Sequence, residues 1–135
     1  SNPPSPCVVI DHLLLPLCTA HSLPLLLRMG THRGINAMLG GAGDGVGKCR
    51  LDALSALCAA HPHTKFIATV LCAADQHEHA VIASRFRNLH IWGNWWYSHL
   101  DSLVTQTTAM RMELLGCQFT FQASSAKISD HLISR

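Results

Sequence analysis

Apolar positions along the 135-residue chain alternate between two periods. From Cys7 to His21 they recur at Val8, Val9, Leu13, Leu14, Leu17 and Cys18, close to the 3.6-residue turn of a helix. Pro16 marks a kink or boundary there, because its ring removes a backbone donor and crowds the preceding turn. Leu23-Pro24-Leu25-Leu26-Leu27-Arg28-Met29-Gly30 is instead a short apolar run closed by glycine, read as a strand over about 24–29 buried on both faces. Helical spacing returns at Leu51, Leu54, Leu57 and Cys58, between Asp52 in the first turn and Pro62 beyond the last. A second strand covers 65–71, where β-formers cluster without polar alternation. His77 to Phe86 reads as a helix and 88–93 as a third strand. Leu100 to Leu115 is the longest helix, with Glu113 set against Arg111 and Gly116 closing it. A fourth strand falls at 118–122, and Ile128 to Ser134 begins a last helix.

Strands separated by single helices require parallel pairing through right-handed crossovers, so the chain is α/β and residues 1–135 read as a single segment. Two architectures fit: an open doubly wound sheet, or half of a (β/α)8 TIM-type barrel, whose complete form takes about 250 residues. Composition separates them. Only 13% of residues are charged and 48% are hydrophobic, against about 25% charged in ordinary soluble domains. An apolar excess of this kind suits a module whose edges are covered by more protein, which favours the half barrel.

Ten Lys+Arg against eight Asp+Glu leave a net charge of +2. That is too little for a disordered tail or for a phosphate-neutralising surface, so no nucleic-acid partner is expected. No apolar run reaches the roughly 18 residues of a membrane span. Ser1-Asn2-Pro3-Pro4 offers no basic region of a signal peptide, and the cytoplasm is the expected compartment. The six cysteines stand singly, as buried free thiols do, without a C-x-x-C pair for zinc.

Candidate chemistry lies mainly after the strands. Leu39 to Cys49 resembles a phosphate-cradling loop, but Cys49 cannot give the hydroxyl that such a loop presents to Mg²⁺, and no strand leads into its first glycine. The plainer reading is a flexible βα loop over the strand C-terminal ends. Ten histidines raise the question of metal, yet His77 and His79 stand two apart and point about 200° from one another on a helix, while His61 and His63 flank Pro62 at a helix end. His32 and Arg33 follow the first strand, at the face where barrel enzymes keep their sites. Trp95-Trp96-Tyr97 follows the third strand. Three consecutive aromatics cannot all enter one core, so either at least one ring lines a cleft or two of them pack between neighbouring helices. No Gly-x-Ser-x-Gly nucleophile motif is present.

The blocks Asn88-Leu89-His90-Ile91-Trp92-Gly93-Asn94-Trp95-Trp96-Tyr97 and Met110-Arg111-Met112-Glu113-Leu114-Leu115-Gly116, the stretch from Phe119 to Arg135, and the loop from Arg33 through Gly47 resemble the C-terminal part of the uronate (glucuronate) isomerases, relatives of the amidohydrolase barrels. The resemblance implies that the four strands are the fifth to eighth of a barrel. It also implies interconversion of an aldose sugar acid such as glucuronate or galacturonate with its ketose, which needs a base, a group to stabilise the enediol oxygen and a cation for the carboxylate.

Departures from the family pattern are specific. Where members carry Gln-His-Ser-Asp-Ala-Arg, this chain reads Gln122-Ala123-Ser124-Ser125-Ala126-Lys127. Ser125 therefore has no carboxylate at the position of the family's Asp, and Lys127 keeps a charge without the bidentate fork of Arg. Ala73 stands where an Arg is expected, and Arg28 where some members place a metal-binding His. The family's His-x-His strand belongs to an N-terminal half not represented here. The resulting expectation is a uronate-isomerase-like half barrel, inactive by itself, with no cofactor. The resemblance implies a divalent metal such as zinc at some family sites, but its ligands are not expected here. If activity survives, the resemblance and the loop positions assign substrate contact to Arg33, Asp44, Trp95, Trp96 and Lys127, with His32 as proton carrier. The partners expected are a sugar acid and either a missing N-terminal half or a second copy closing the open seam. A noncatalytic assembly module and a nucleotide-binding loop domain are the competing classes.

Overall fold

Strand β1 (Leu25–Met29) opens a four-stranded sheet in the order β1-β4-β5-β6, completed by β4 (Phe66–Val70), β5 (Leu89–Trp92) and β6 (Phe119–Thr120), all pairs parallel. The structure, a computed structural model, describes residues 6–121, with side chains from Val8 onward. Helix α3 (Leu51–Ala60) connects β1 to β4, α4 (Gln76–Arg85) connects β4 to β5, and α5 (Asp101–Leu115) connects β5 to β6. This is the parallel βα alternation that the hydrophobic periods predict, four strands laid out as in part of an eight-stranded barrel. The expected helix at Ile128–Ser134, Ser125 and Lys127 lie outside the described residues.

Pleating divides the sheet into two faces. Leu25, Phe66, Ala68, Val70 and Leu89 point to the helices and join Leu15, Leu51, Leu54 and Cys58 in one core, while Ile91 and Phe119 meet Ala80 in a smaller one. The alternate positions Leu26, Arg28, Ile67, Thr69, His90, Trp92 and Thr120 form the opposite face, where Leu26 is 50% exposed. The expectation that β1 is buried on both faces is therefore corrected. β1 lies at the edge of the sheet, and only its helix side is covered.

The N-terminal helical region runs through α1 (Pro6–Val9), a π-helical turn (Ile10–Leu14) and α2 (Leu15–Ala20). Leu15 N–H donates to Ile10 O, one residue further back than in an α-helix. The widened turn lies immediately before Pro16, whose ring would otherwise collide with the carbonyl of His12, so the proline is absorbed as a bulge rather than a break. The cysteines described are free thiols: Cys58 is buried, Cys18, Cys49 and Cys72 are half-buried, and Cys117 is exposed.

Helix α5 ends at Gly116, whose φ of 61° few other residues adopt readily. Arg111 does not pair with Glu113. It is fully buried, and Glu113 faces outward. Residues two apart project about 200° from one another on a helix, which explains the correction. Among the described residues no helix is long and apolar enough to cross a membrane.

Candidate functional site

The C-terminal ends of the strands carry a rim of loops. After β1 the chain forms a small antiparallel hairpin, β2 (Thr31–His32) with β3 (Gly45–Val46), and the segment between them coils through 3-10 turns at Ala37–Gly43. Gly30, with φ of 94°, starts this excursion. A β-carbon there would stand 3.0 Å from Cys49 Sγ and 3.1 Å from Gly47 O, so only glycine lets the strands pass. Gly47 N–H donates to Gly30 O at 2.8 Å and Cys49 N–H to Asp75 Oδ2 at 2.7 Å. Two backbone donors that a phosphate-cradling loop would aim at its ligand are thus engaged within the protein. Burial and the neighbouring Asp75 push the Cys49 thiol up to about 12, so it is no nucleophile at neutral pH.

Asp44 anchors the hairpin. Its carboxylate accepts from Gly34 N–H at 2.9 Å and from the Arg33 guanidinium. The Gly34 hydrogen bond, followed by that from Arg33, holds its pKa below the ordinary carboxylate value. Tyr97 Oη donates to Asp44 O at 3.1 Å, tying the hairpin to the turn after β5. In that turn Ser98 Oγ accepts from Trp95 N–H at 3.0 Å and donates to Trp95 O at 2.7 Å.

The turn lays its aromatic rings in a row. Trp95 and Trp96 have centroids 5.8 Å apart, and Trp96 stacks on Tyr97 at 4.7 Å. Trp96 adopts φ of 49°, a left-handed conformation costing a non-glycine residue about 1–2 kcal/mol. Aromatic stacking, worth about 0.5–1.5 kcal/mol, offsets part of that cost. At the other end of the row the Arg28 guanidinium lies over Trp92 at 4.9 Å and Trp95 at 5.4 Å.

Beneath the rim is a buried polar network. Arg111 donates to Gly93 O at 3.0 Å, Gln76 Oε1 at 2.7 Å and Asn94 Oδ1 at 3.4 Å, while Gln76 Nε2 donates to Val70 O at 2.8 Å. A guanidinium without a carboxylate thereby joins the ends of β4 and β5, and burial lowers its pKa to about 10. His79 on α4 is completely buried. Desolvation, with the nearby Arg111 charge, lowers its pKa to about 3, so it is neutral at physiological pH.

The structure brings Arg33, Asp44, Trp95 and Trp96 together at this rim. His32 lies exposed on β2, with its Cβ close to Gly47. Tyr97 ties the turn after β5 to the hairpin and Arg111 ties the ends of β4 and β5 beneath the rim, roles that neither the aromatic triplet nor the expected pairing with Glu113 indicates. The available signal for Arg111 was a guanidinium between Met110 and Met112, one turn after Thr107. Among the described residues no group of three or more His, Cys, Asp and Glu side chains comes together that could hold a metal ion.

Fold and rim together define the class: a parallel α/β segment of barrel type whose loop-borne polar and aromatic side chains gather at the strand C-terminal ends. Compared with solved structures, the chain is similar to a uronate isomerase from Bacillus halodurans C-125, with 38% sequence identity and a TM-score of 0.89 over 93% of this chain. The match covers 30% of that protein, so the chain spans under a third of its length. The resemblance to the uronate isomerases is thus shown in sequence and backbone alike, over a parallel α/β segment that matches part of such a barrel fold. No family model matches the chain, and no curated protein matches it.

Proposed function

We propose that the rim is a sugar-acid site of the uronate-isomerase kind, and that the 135 residues by themselves bind such a ligand without isomerising it. The observation carrying this reading is the state of the carboxylates. Moving a proton between C2 and C1 requires a base that is free to accept it. Asp44 is committed to Arg33 and Gly34 and held below the usual carboxylate range, which makes it a weak base. The sequence provides Ser125 where the family has an Asp. His32 remains as the proton carrier on the exposed side of the hairpin, and Arg33, Trp95, Trp96 and Lys127 as substrate contacts. Incubation of the purified chain with D-glucuronate and with D-galacturonate, followed by NMR of the sugar, is expected to show no ketose. Protein-dependent ketose would overturn the inactivity.

A second reading has its own support. Among the described residues the outer edges of β1 and β6 are both unpaired, and both belong to a parallel sheet. The face carrying Leu26 and Trp92 is only partly covered. Two copies placed head to tail would join β6 of one to β1 of the other and close an eight-stranded cylinder. Size-exclusion chromatography with light scattering tests this: a 29-kDa species, about twice the 14.7 kDa chain, supports it, and a well-folded monomer at high concentration overturns it.

A further inference from the structure

The arginines at and beneath the rim are not equivalent. Arg33 is neutralised by Asp44, and Arg50 by Asp52 at 2.8 Å. Arg111 is sealed beneath the rim with its donors on Gly93, Gln76 and Asn94. Arg28 is exposed, lies against two indole rings, and has no carboxylate partner among the described residues. It leaves the end of β1 beside Thr69 of β4, and a residue that small lets the guanidinium reach over to the Trp92 ring on β5. Trp92 and Trp95 contact the cation through their π-electrons, and no acid among the described residues pairs with it.

We infer that Arg28, held against Trp92 and Trp95, is the carboxylate-binding residue of the rim and sets its preference for acidic over neutral ligands. The inference rests on the sugar-acid reading only for the rest of the ligand. The chemistry it requires is a planar guanidinium meeting a planar carboxylate, a bidentate contact that a lysine reproduces only in charge. Contact with two rings fixes the guanidinium before the ligand arrives, so less side-chain freedom is lost on binding. It also makes the indoles direct reporters, because a carboxylate drawing on the cation alters the environment of both rings.

The test is a titration of the purified chain, followed by tryptophan fluorescence and calorimetry, with D-glucuronate, D-glucose and malonate. The wild type is expected to bind D-glucuronate with a fluorescence change and to bind D-glucose at least tenfold more weakly. Arg28→Gln is expected to weaken D-glucuronate at least tenfold and to abolish the preference over D-glucose. Arg28→Lys is expected to recover part of it, and Arg50→Gln, at an exposed guanidinium paired with Asp52, to change affinity less than threefold. Arg28 is an exposed side chain, and circular dichroism of each variant checks that the fold is kept. Unchanged D-glucuronate affinity in Arg28→Gln would overturn the inference while leaving the sugar-acid reading intact. Arg28-dependent binding of malonate as tight as that of D-glucuronate would uphold the inference and overturn the sugar-acid reading. Absence of any carboxylate binding by the wild type would overturn both.

Discussion

His79 and Arg111 show how burial alone sets chemistry at single residues. Neither has an acidic partner among the described residues, and both are driven toward their neutral forms because a charge without water is costly. For His79 the folded pKa of about 3 lies below the ordinary 6.5. Its contribution to stability is whole above pH 6.5 and is lost as pH falls toward 3, because the unfolded chain binds a proton that the folded chain refuses. Urea midpoints measured from pH 7 to pH 4.5 are expected to fall more steeply for the wild type than for His79→Met. Parallel curves would show that His79 does not titrate this way. Arg111→Met is expected to leave Gly93 O and Gln76 Oε1 unsatisfied, at about 1–3 kcal/mol for each buried acceptor. Removing an unpaired buried charge returns part of that. A net loss in chemical denaturation, with a shifted Trp95 emission, is the expected result.

Elements at the rim are held by few ties. The β2–β3 hairpin has two paired positions and depends on Asp44 within and on Tyr97 from outside. Tyr97→Phe removes the bond to Asp44 O and is expected to cost about 0.5–1.5 kcal/mol. Faster amide exchange confined to the hairpin, with the β4 core amides unchanged, would be its signature. Global loosening would show that the hairpin is not a separate unit. The element boundaries were readable where one physical cause dominates. Gly116 ends α5 because its backbone turns left-handed there, and Pro16 marks the helix irregularity it produces. The hairpin was not readable, because Thr31-His32 and Gly45-Val46 are too short to show a period and become strands only by pairing with each other.

At the scale of the whole molecule the sheet has two unequal faces and two open edges. Leu26, half exposed on the uncovered face of the edge strand, is the side chain a closing copy would bury. If two copies close one another, Leu26→Glu is expected to return the chain to monomer while circular dichroism stays unchanged, because the substituted side chain points away from the helix-side core. A dimer that survives this change would rule out closure through the β1 seam.

What the amino-acid sequence determined by itself is the βα alternation, the parallel sheet and the family likeness, because these follow from local periodicity and from blocks such as Gly93-Asn94-Trp95-Trp96-Tyr97. It also placed Arg33, Asp44, Trp95 and Trp96 on loops after strands, where the fold brings them together. Tertiary structure alone decided which charges are free. Arg33 loses its availability to Asp44, Arg111 disappears beneath the rim, and Arg28 emerges clamped and unpaired. A charge's partners come from segments far away in the chain, so no local pattern reveals whether it has one.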